Sequence, residues 1–300
     1  MYDVIIVGAG PAGLTSAIYA VRAMKKVLVL EKLNYGGQII NTLNIENYPA
    51  SPNVSGFDFA TKLYNQAKDL GAIVKFENVI QIKNGNIKSV ITSKNTYEAK
   101  SIILATGSQN RKLGLENEDN FSSKGVSYCA TCDGAFYKGK DVAVVGGGNT
   151  ALEDALYLAD IAKNVYLIHR RDEFRGDAAT FNNLKSKDNV KFIYNSNVTK
   201  LIGDDKLEAI EITNNDGNKE NILVSGLFVA VGRIPLNDSF NELIKLDSAG
   251  YIKACEDCHT NIPGIFVAGD IRSKDVRQLV TAVSDGAVAA TSAIKFINEK

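Results

Sequence analysis

The sequence predicts an α/β protein made of two units of one plan, each a three-layer arrangement of helices around a sheet with an inserted antiparallel β-meander. Two stretches predict it. YDVIIVGAGPAGLTSAIYAVRA opens the chain, and KDVAVVGGGNTALEDALYLADI begins at Lys140. Each reads as a short β-branched strand, a glycine-rich turn, and a helix with small residues on its first turn. Each is followed by another strand, KVLVLE at 26–31 and NVYLIHR at 164–170. That order is the Rossmann-like nucleotide-binding unit, here met twice.

The echo continues. VIQIKNG (79–85), IKSVITS (87–93) and KSIILATG (100–107) follow the first unit. VTKLIGDD (198–205), LEAIEITNNDG (207–217) and VSGLFVAVG (224–232) follow the second. Asn84-Gly85 and Asp216-Gly217 are tight-turn signals between strands. The stretch 264–297 then adds one apolar strand, a loop and a long helix. Such a tail is too small to stand alone, so it is expected to return and complete the first domain. The crossings are placed near 112 and 244, with no low-complexity linker to mark them. The expected domains are 1–112 with 245–300, and 113–244.

The bulk composition is that of a soluble globular protein, 45% hydrophobic and 23% charged. Lys+Arg and Asp+Glu both number 34, so no basic arm predicts nucleic acid or an anionic membrane. No segment reads as approaching the roughly 18 apolar residues of a spanning helix. Asp3 stands where a signal peptide would be positive, and glycines break the apolar start, so no signal peptide is expected. A cytoplasmic location is the expectation. There a CxxC pair reads as catalytic or metal-binding rather than as a staple.

In GAGPAG, Gly8 makes the tight turn, Gly10 lets the backbone approach a pyrophosphate, and Gly13 lets helix and strand pack closely. The helix N-terminus presents its positive end to the phosphates. Glu31, ending the next strand, is placed to accept hydrogen bonds from ribose hydroxyls and would repel a 2′-phosphate. By itself the pattern fits FAD or NAD equally. In GGGNTA the same roles fall to Gly146, Gly148 and Ala151. There the acid is replaced by HRRDEFR, and the guanidinium forks of Arg170, Arg171 and Arg175 match a phosphate, favouring NADP(H) over NAD. A merely solvated basic loop is the bland alternative. His169 could touch the adenosine or be a plain strand-end residue. A flavin in the first site and a hydride donor in the second is the economical pairing.

CATCDGAF (129–136) holds Cys129 and Cys132 just before the second glycine turn. A CxxC thiol is often acidified, and only the thiolate attacks disulfides. Asp133 could protonate a departing thiolate, or be a turn former with Gly134. Cys255 and Cys258 in CEDC offer a second ligand pair for zinc, but from a different predicted domain. A surface turn explains that pair adequately, and no metal site is expected.

Together GAGPAG (8–13), GGQIINTLNIENYP (36–49), ATG (105–107), CATCDGAF, GGGNTALEDA (146–155), HRRDEFR (169–175) and AGDIRSKDVRQLVTAVSDGAVAA (268–290) run along essentially the whole chain. In these the sequence resembles the low-molecular-weight, bacterial-type thioredoxin reductases. The resemblance implies FAD in the first domain, held by Gly8, Gly10, Gly13 and Glu31 and lined by Gln38 and Asn47. Asp270 and the Arg277–Gln278 pair would contact its ribityl and pyrimidine parts. NADPH would deliver hydride to the flavin, and the flavin would reduce a Cys129–Cys132 disulfide. Cys132 would face the flavin, Cys129 would attack thioredoxin, and Asp133 would be the general acid. The resemblance also implies a homodimer and a rotation of one domain against the other. Two departures, CEDC and Gly176 in FRGDAAT, touch none of this chemistry. Competing expectations are the same electron path serving another dithiol protein, a flavin-based redox sensor, and a zinc-stabilised structural protein.

Overall fold

Strands Tyr2–Val7 and Val27–Glu31 are nearly continuous apolar runs, and their side chains are buried toward both faces of the sheet. That is the state of parallel strands covered by helices. The two pair in parallel, and Tyr2–Val7 pairs in parallel on its other edge with the long strand Thr96–Leu104. The computed structural model describes residues 1–299. It divides the chain into Met1–Gln109 with Ile234–Lys300, and Asn110–Arg233.

In the first unit the sheet order is Ile73–Phe76, Val27–Glu31, Tyr2–Val7, Thr96–Leu104, Lys88–Thr92 and Val79–Lys83, with Ile265–Val267 also on Thr96–Leu104. The meander is therefore not a separate layer. Thr96–Ala99 pairs antiparallel with Lys88–Ile91, while the rest of the same strand carries the parallel pairs. Helices Pro11–Arg22 and Leu279–Asn298 cover one face and cross closely at Gly286, where a Cβ would collide with the Ala12 carbonyl. Ser16 Oγ seals the crossing by donating to Ala12 O at 3.0 Å and Gly286 O at 2.9 Å.

Three expectations are corrected here. The second crossing falls at Arg233/Ile234 rather than near 244. Phe240 and Ile244 are buried in the first unit's core with Ile5, Leu28 and Ile102, and Ser239 O accepts the Ile82 N–H, so this stretch belongs to the first unit. The first crossing, at Gln109/Asn110, lies close to the expected 112. Helix Leu279–Asn298 is long and apolar enough by length and composition to cross a membrane. Ser, Thr and Asp break its apolar run in the sequence, which hid this property. Its Ala289, Ala290, Ala293 and Ile297 pack into the unit's own core.

In the second unit Val190–Ile193, Asn164–Ile168, Asp141–Val145, Gly226–Val229 and Val126–Ser127 form a parallel sheet in that order. A separate antiparallel sheet holds Ser196–Ile202, Ala209–Asn214 and Lys219–Leu223. The expected third meander strand, within 224–232, is not in this sheet. Lys219–Leu223 is the meander's third strand, and Gly226–Val229 returns to the parallel sheet. Lys219–Leu223 is a polar edge strand that buries only Ile222, so it carries no alternation to read.

Candidate active site

Cys129 and Cys132 are joined by a disulfide, their Cα atoms 5.3 Å apart. The local chain explains why they meet. Cys129 leads from an extended conformation into the single helical turn Ala130–Asp133. Its carbonyl accepts the N–H groups of Cys132 at 3.2 Å and Asp133 at 3.1 Å. Both cysteines are half-buried, and Thr131 between them is exposed. Asp133 Oδ2 accepts the Ser127 hydroxyl at 2.7 Å, and Cys129 N–H donates to the same Ser127 Oγ at 3.1 Å. Burial pushes the Asp133 carboxyl above its ordinary range, and the Ser127 donation opposes that push. A disulfide beside a carboxyl that retains its proton to higher pH can exchange thiols and protonate a leaving sulfur.

The same unit holds the second glycine turn. Gly146 has φ +157, and a Cβ there would collide with the Ala230 carbonyl. Gly148 precedes helix Asn149–Ala159, whose first turn has neither a capping side chain nor an acid, and a side chain there would meet nothing within 4 Å. Arg170, Arg171 and Arg175 are exposed, and Arg175 N–H donates to Gly147 O at 2.8 Å, which brings the basic segment back to the turn. His169 lies elsewhere than in the open. It is buried beneath Gly147, where any side chain would strike its ring, and stacks on Phe174 at 5.1 Å. Burial and the three arginines hold its pKa down despite a hydrogen bond to the Glu173 backbone.

The first unit holds the other cradle. Gly8 has φ +108, with Ala105 O where a Cβ would stand, and Gly13 packs on the Gly8 carbonyl. Helix Pro11–Arg22 also begins without a capping side chain or an acid. By contrast, Ser55 caps helix Gly56–Asp69 and Asp177 caps helix Ala178–Lys185. The two glycine-turn helices thus leave their first N–H groups free of side-chain partners, the arrangement a phosphate fits. Glu31 Oε2 accepts the Ala9 N–H at 2.8 Å, and Gly36 N–H donates to Ala9 O at 2.8 Å. Gln38, on the turn Gly37–Asn41, and Asn47 are exposed. Asn47 Nδ2 donates to Gln278 Oε1 at 3.2 Å. Arg277 Nε donates to Asp270 O at 3.3 Å and its guanidinium lies 4.0 Å from the Tyr251 ring centroid.

Residues 2–286 match the model of a family described as pyridine nucleotide-disulphide oxidoreductase. The chain belongs to that family. Among relatives of this oxidoreductase, the thioredoxin reductase of Listeria monocytogenes is 42% identical, over 100% of this chain and 95% of that protein. The thioredoxin reductase of Mycoplasma genitalium is 44% identical, over 96% and 93%. The crystal structure of thioredoxin reductase from Streptococcus pyogenes superimposes with a TM-score of 0.96 at 40% identity, covering 100% of this chain and 99% of that one.

Sequence reasoning missed several groups in this oxidoreductase. Ser127 was one, since a lone serine before a CxxC carries no signal of its contact with Asp133. A buried ionic cluster was another. Asp285 Oδ2 accepts Gly269 N–H at 3.0 Å and Lys274 Nζ at 2.9 Å, and Arg272 spans both of its oxygens, fixing the turn that carries Asp270. Cys255 and Cys258 bracket an exposed turn closed by Cys258 N–H donating to Cys255 O at 3.0 Å, but only Cys255 is exposed, and the Cys258 side chain is buried in the core. Its sulfur packs toward Asp285 O at 3.7 Å. The two CxxC pairs lie in different units, and among the described residues no group of three or more His, Cys, Asp or Glu could hold a metal.

Proposed function

We propose that the chain is an NADPH-dependent thioredoxin reductase. The observation that carries this reading is the Cys129–Cys132 disulfide set against the half-buried Asp133. The full-length similarity to thioredoxin reductases supports it. In this reading Gly8, Gly10, Gly13 and Glu31 hold FAD in the first unit, with Gln38, Asn47, Asp270, Arg277 and Gln278 around its flavin end. Gly146, Gly148 and Ala151 hold the NADPH pyrophosphate, Arg170, Arg171 and Arg175 take its 2′-phosphate, and His169 backs the turn. Bound FAD and NADPH supply the two electrons that reduce the disulfide.

The chain's own residues do the rest. Cys129 thiolate attacks the partner disulfide and forms a mixed disulfide. Cys132 then attacks Cys129 Sγ and releases the second partner sulfur. Asp133 gives the proton that a departing thiolate needs. The resemblance also carries the homodimer and the cytoplasmic location, and light scattering tests the first.

An anaerobic NADPH titration followed by flavin absorbance tests the electron path. The wild type should consume about twice the NADPH per flavin that Cys132→Ser does. Equal uptake would leave the disulfide outside the path. A panel of oxidised partners then separates thioredoxin from another dithiol protein.

A further inference from the structure

We propose that Ser127 is the positioning residue of the thiol-exchange step, its hydroxyl selecting which oxygen of Asp133 carries the transferable proton and tying that carboxyl to the backbone of Cys129. This rests on the reading of Asp133 as the general acid.

Ser127 ends the two-residue strand Val126–Ser127 and pairs in register with Phe228 of Gly226–Val229. It is 3% exposed. A serine hydroxyl has one proton to give and two lone pairs. Its acceptor at 2.7 Å is Asp133 Oδ2, and a lone pair receives the Cys129 N–H at 3.1 Å. The Cys129 carbonyl, at 3.4 Å, is the longer and competing acceptor. With Oδ2 occupied as an acceptor, the proton of the neutral acid sits on Oδ1. The hydroxyl therefore couples the attacking residue and the acid to one point on the parallel sheet.

Cys129 thiolate attacks the partner disulfide, the partner S–S bond breaks, and a Cys129–partner S–S bond forms. The departing partner thiolate takes the Asp133 Oδ1 proton, leaving the carboxylate to be stabilised by the Ser127 hydroxyl. Two things set the Asp133 equilibrium. Burial favours the neutral acid, and the Ser127 bond favours the carboxylate. Titratable groups also come from the segment's own turn and from helix Asn149–Ala159. Tyr137, on the same segment, is pushed up to about 12 by burial first and by Asp133 second. Tyr157, from helix Asn149–Ala159, would lie 2.8 Å from a Cβ on Gly134. Asp154 on that helix is raised to about 7 by burial and Glu153, against Arg233. Gly226–Val229 brings no titratable side chain.

The test uses the full-length oxidised protein with 13C-labelled aspartate, Asp133 assigned by D133N. Ser127→Ala should move the Asp133 titration to higher pH. In stopped flow, the pre-reduced holoenzyme carrying S127A should reduce oxidised thioredoxin about tenfold more slowly. Its pH profile should move in the same direction. Ser127→Thr, which keeps the hydroxyl, should restore both. In a D133N background S127A should leave the pH profile unmoved, which also separates any limb due to Asp154. An unmoved Asp133 titration, or a pH shift that survives in D133N, overturns the proposal. If S127A does not fold, Ser127→Gly, which also lacks the hydroxyl, carries the same comparison. If the wild type fails to reduce thioredoxin, the functional reading falls while the NMR titration still decides the role of Ser127.

Discussion

Arg272 grips both carboxylate oxygens of Asp285, with Nε 3.1 Å from Oδ2 and Nη2 3.0 Å from Oδ1. Both residues are buried, and Lys274 and Gly269 N–H complete the carboxylate's partners. Removing one member of a buried pair leaves the other charge uncompensated, at about 3–5 kcal/mol. Asp285→Ala should lower Tm by roughly 5–15 °C in calorimetry. Burial pushes the Asp285 carboxyl up, but Arg272 and Lys274 outweigh it and hold the pKa below the ordinary range. The stabilisation is thus present above the unfolded value, about 3.9, and lost as pH falls through the depressed native one. Wild type and Asp285→Asn should converge in stability only at such acidic pH. A gap that stays constant down to that range would count against the ion pair as its source.

The Gly13 site offers a sharper steric test. A Cβ there would collide with the Gly8 carbonyl oxygen, a backbone atom that cannot swing away. Gly13→Ala should express with little bound flavin and a lowered Tm. At Gly71 nothing lies within 4 Å of a Cβ, though its φ of +108 makes a substitution strained. The ratio of flavin to protein absorbance, compared between these variants, separates a cradle defect from general backbone strain. Equal flavin loss in both would mean that close packing at Gly13 is not what holds the cofactor.

The two free thiols should differ in reactivity. Cys255 is exposed, whereas burial, with Asp285 a smaller contributor, pushes the Cys258 thiol up to about 12. Only the thiolate reacts with maleimide or iodoacetamide. Intact mass spectrometry of the oxidised native protein should show one rapid alkylation at Cys255, and a second at Cys258 only in denaturant. Two rapid adducts under native conditions would contradict the buried placement of Cys258.

Arg170, Arg171 and Arg175 are proposed to read the 2′-phosphate. Arg175→Ala and Arg170→Ala should each raise KM for NADPH about tenfold or more while leaving KM for NADH nearly unchanged. Steady-state kinetics with both donors decides it. A parallel loss with both would make the arginines a general support of the turn.

Much of this molecule was legible in local chemistry. GAGPAG and GGGNTA set glycines where the chain turns and where a helix must start without a side-chain cap, and those are short-range demands. CATCDGAF likewise closes its own turn through the Cys129 carbonyl. Strand Lys219–Leu223 was not legible, because a polar edge strand is defined by its neighbour's free backbone groups rather than by its own pattern.

What the sequence by itself determined was the repeated strand–glycine turn–helix plan and the dithiol, and it supplied the residues proposed to face two nucleotides. The tertiary structure decided the rest. Asn47 reaches Gln278 across 231 positions of sequence. Ser127 reaches Asp133 because a two-residue strand is pinned to the sheet by Gly226–Val229. Arg272, Lys274 and Asp285 converge because a loop folds back on its own helix, and Cys258 goes inside because that cluster and the core close over it. The physical reason is common to all of them. Hydrogen bonds and ion pairs between distant segments depend on which surfaces pack together, and the spacing of residues along one segment carries no record of that.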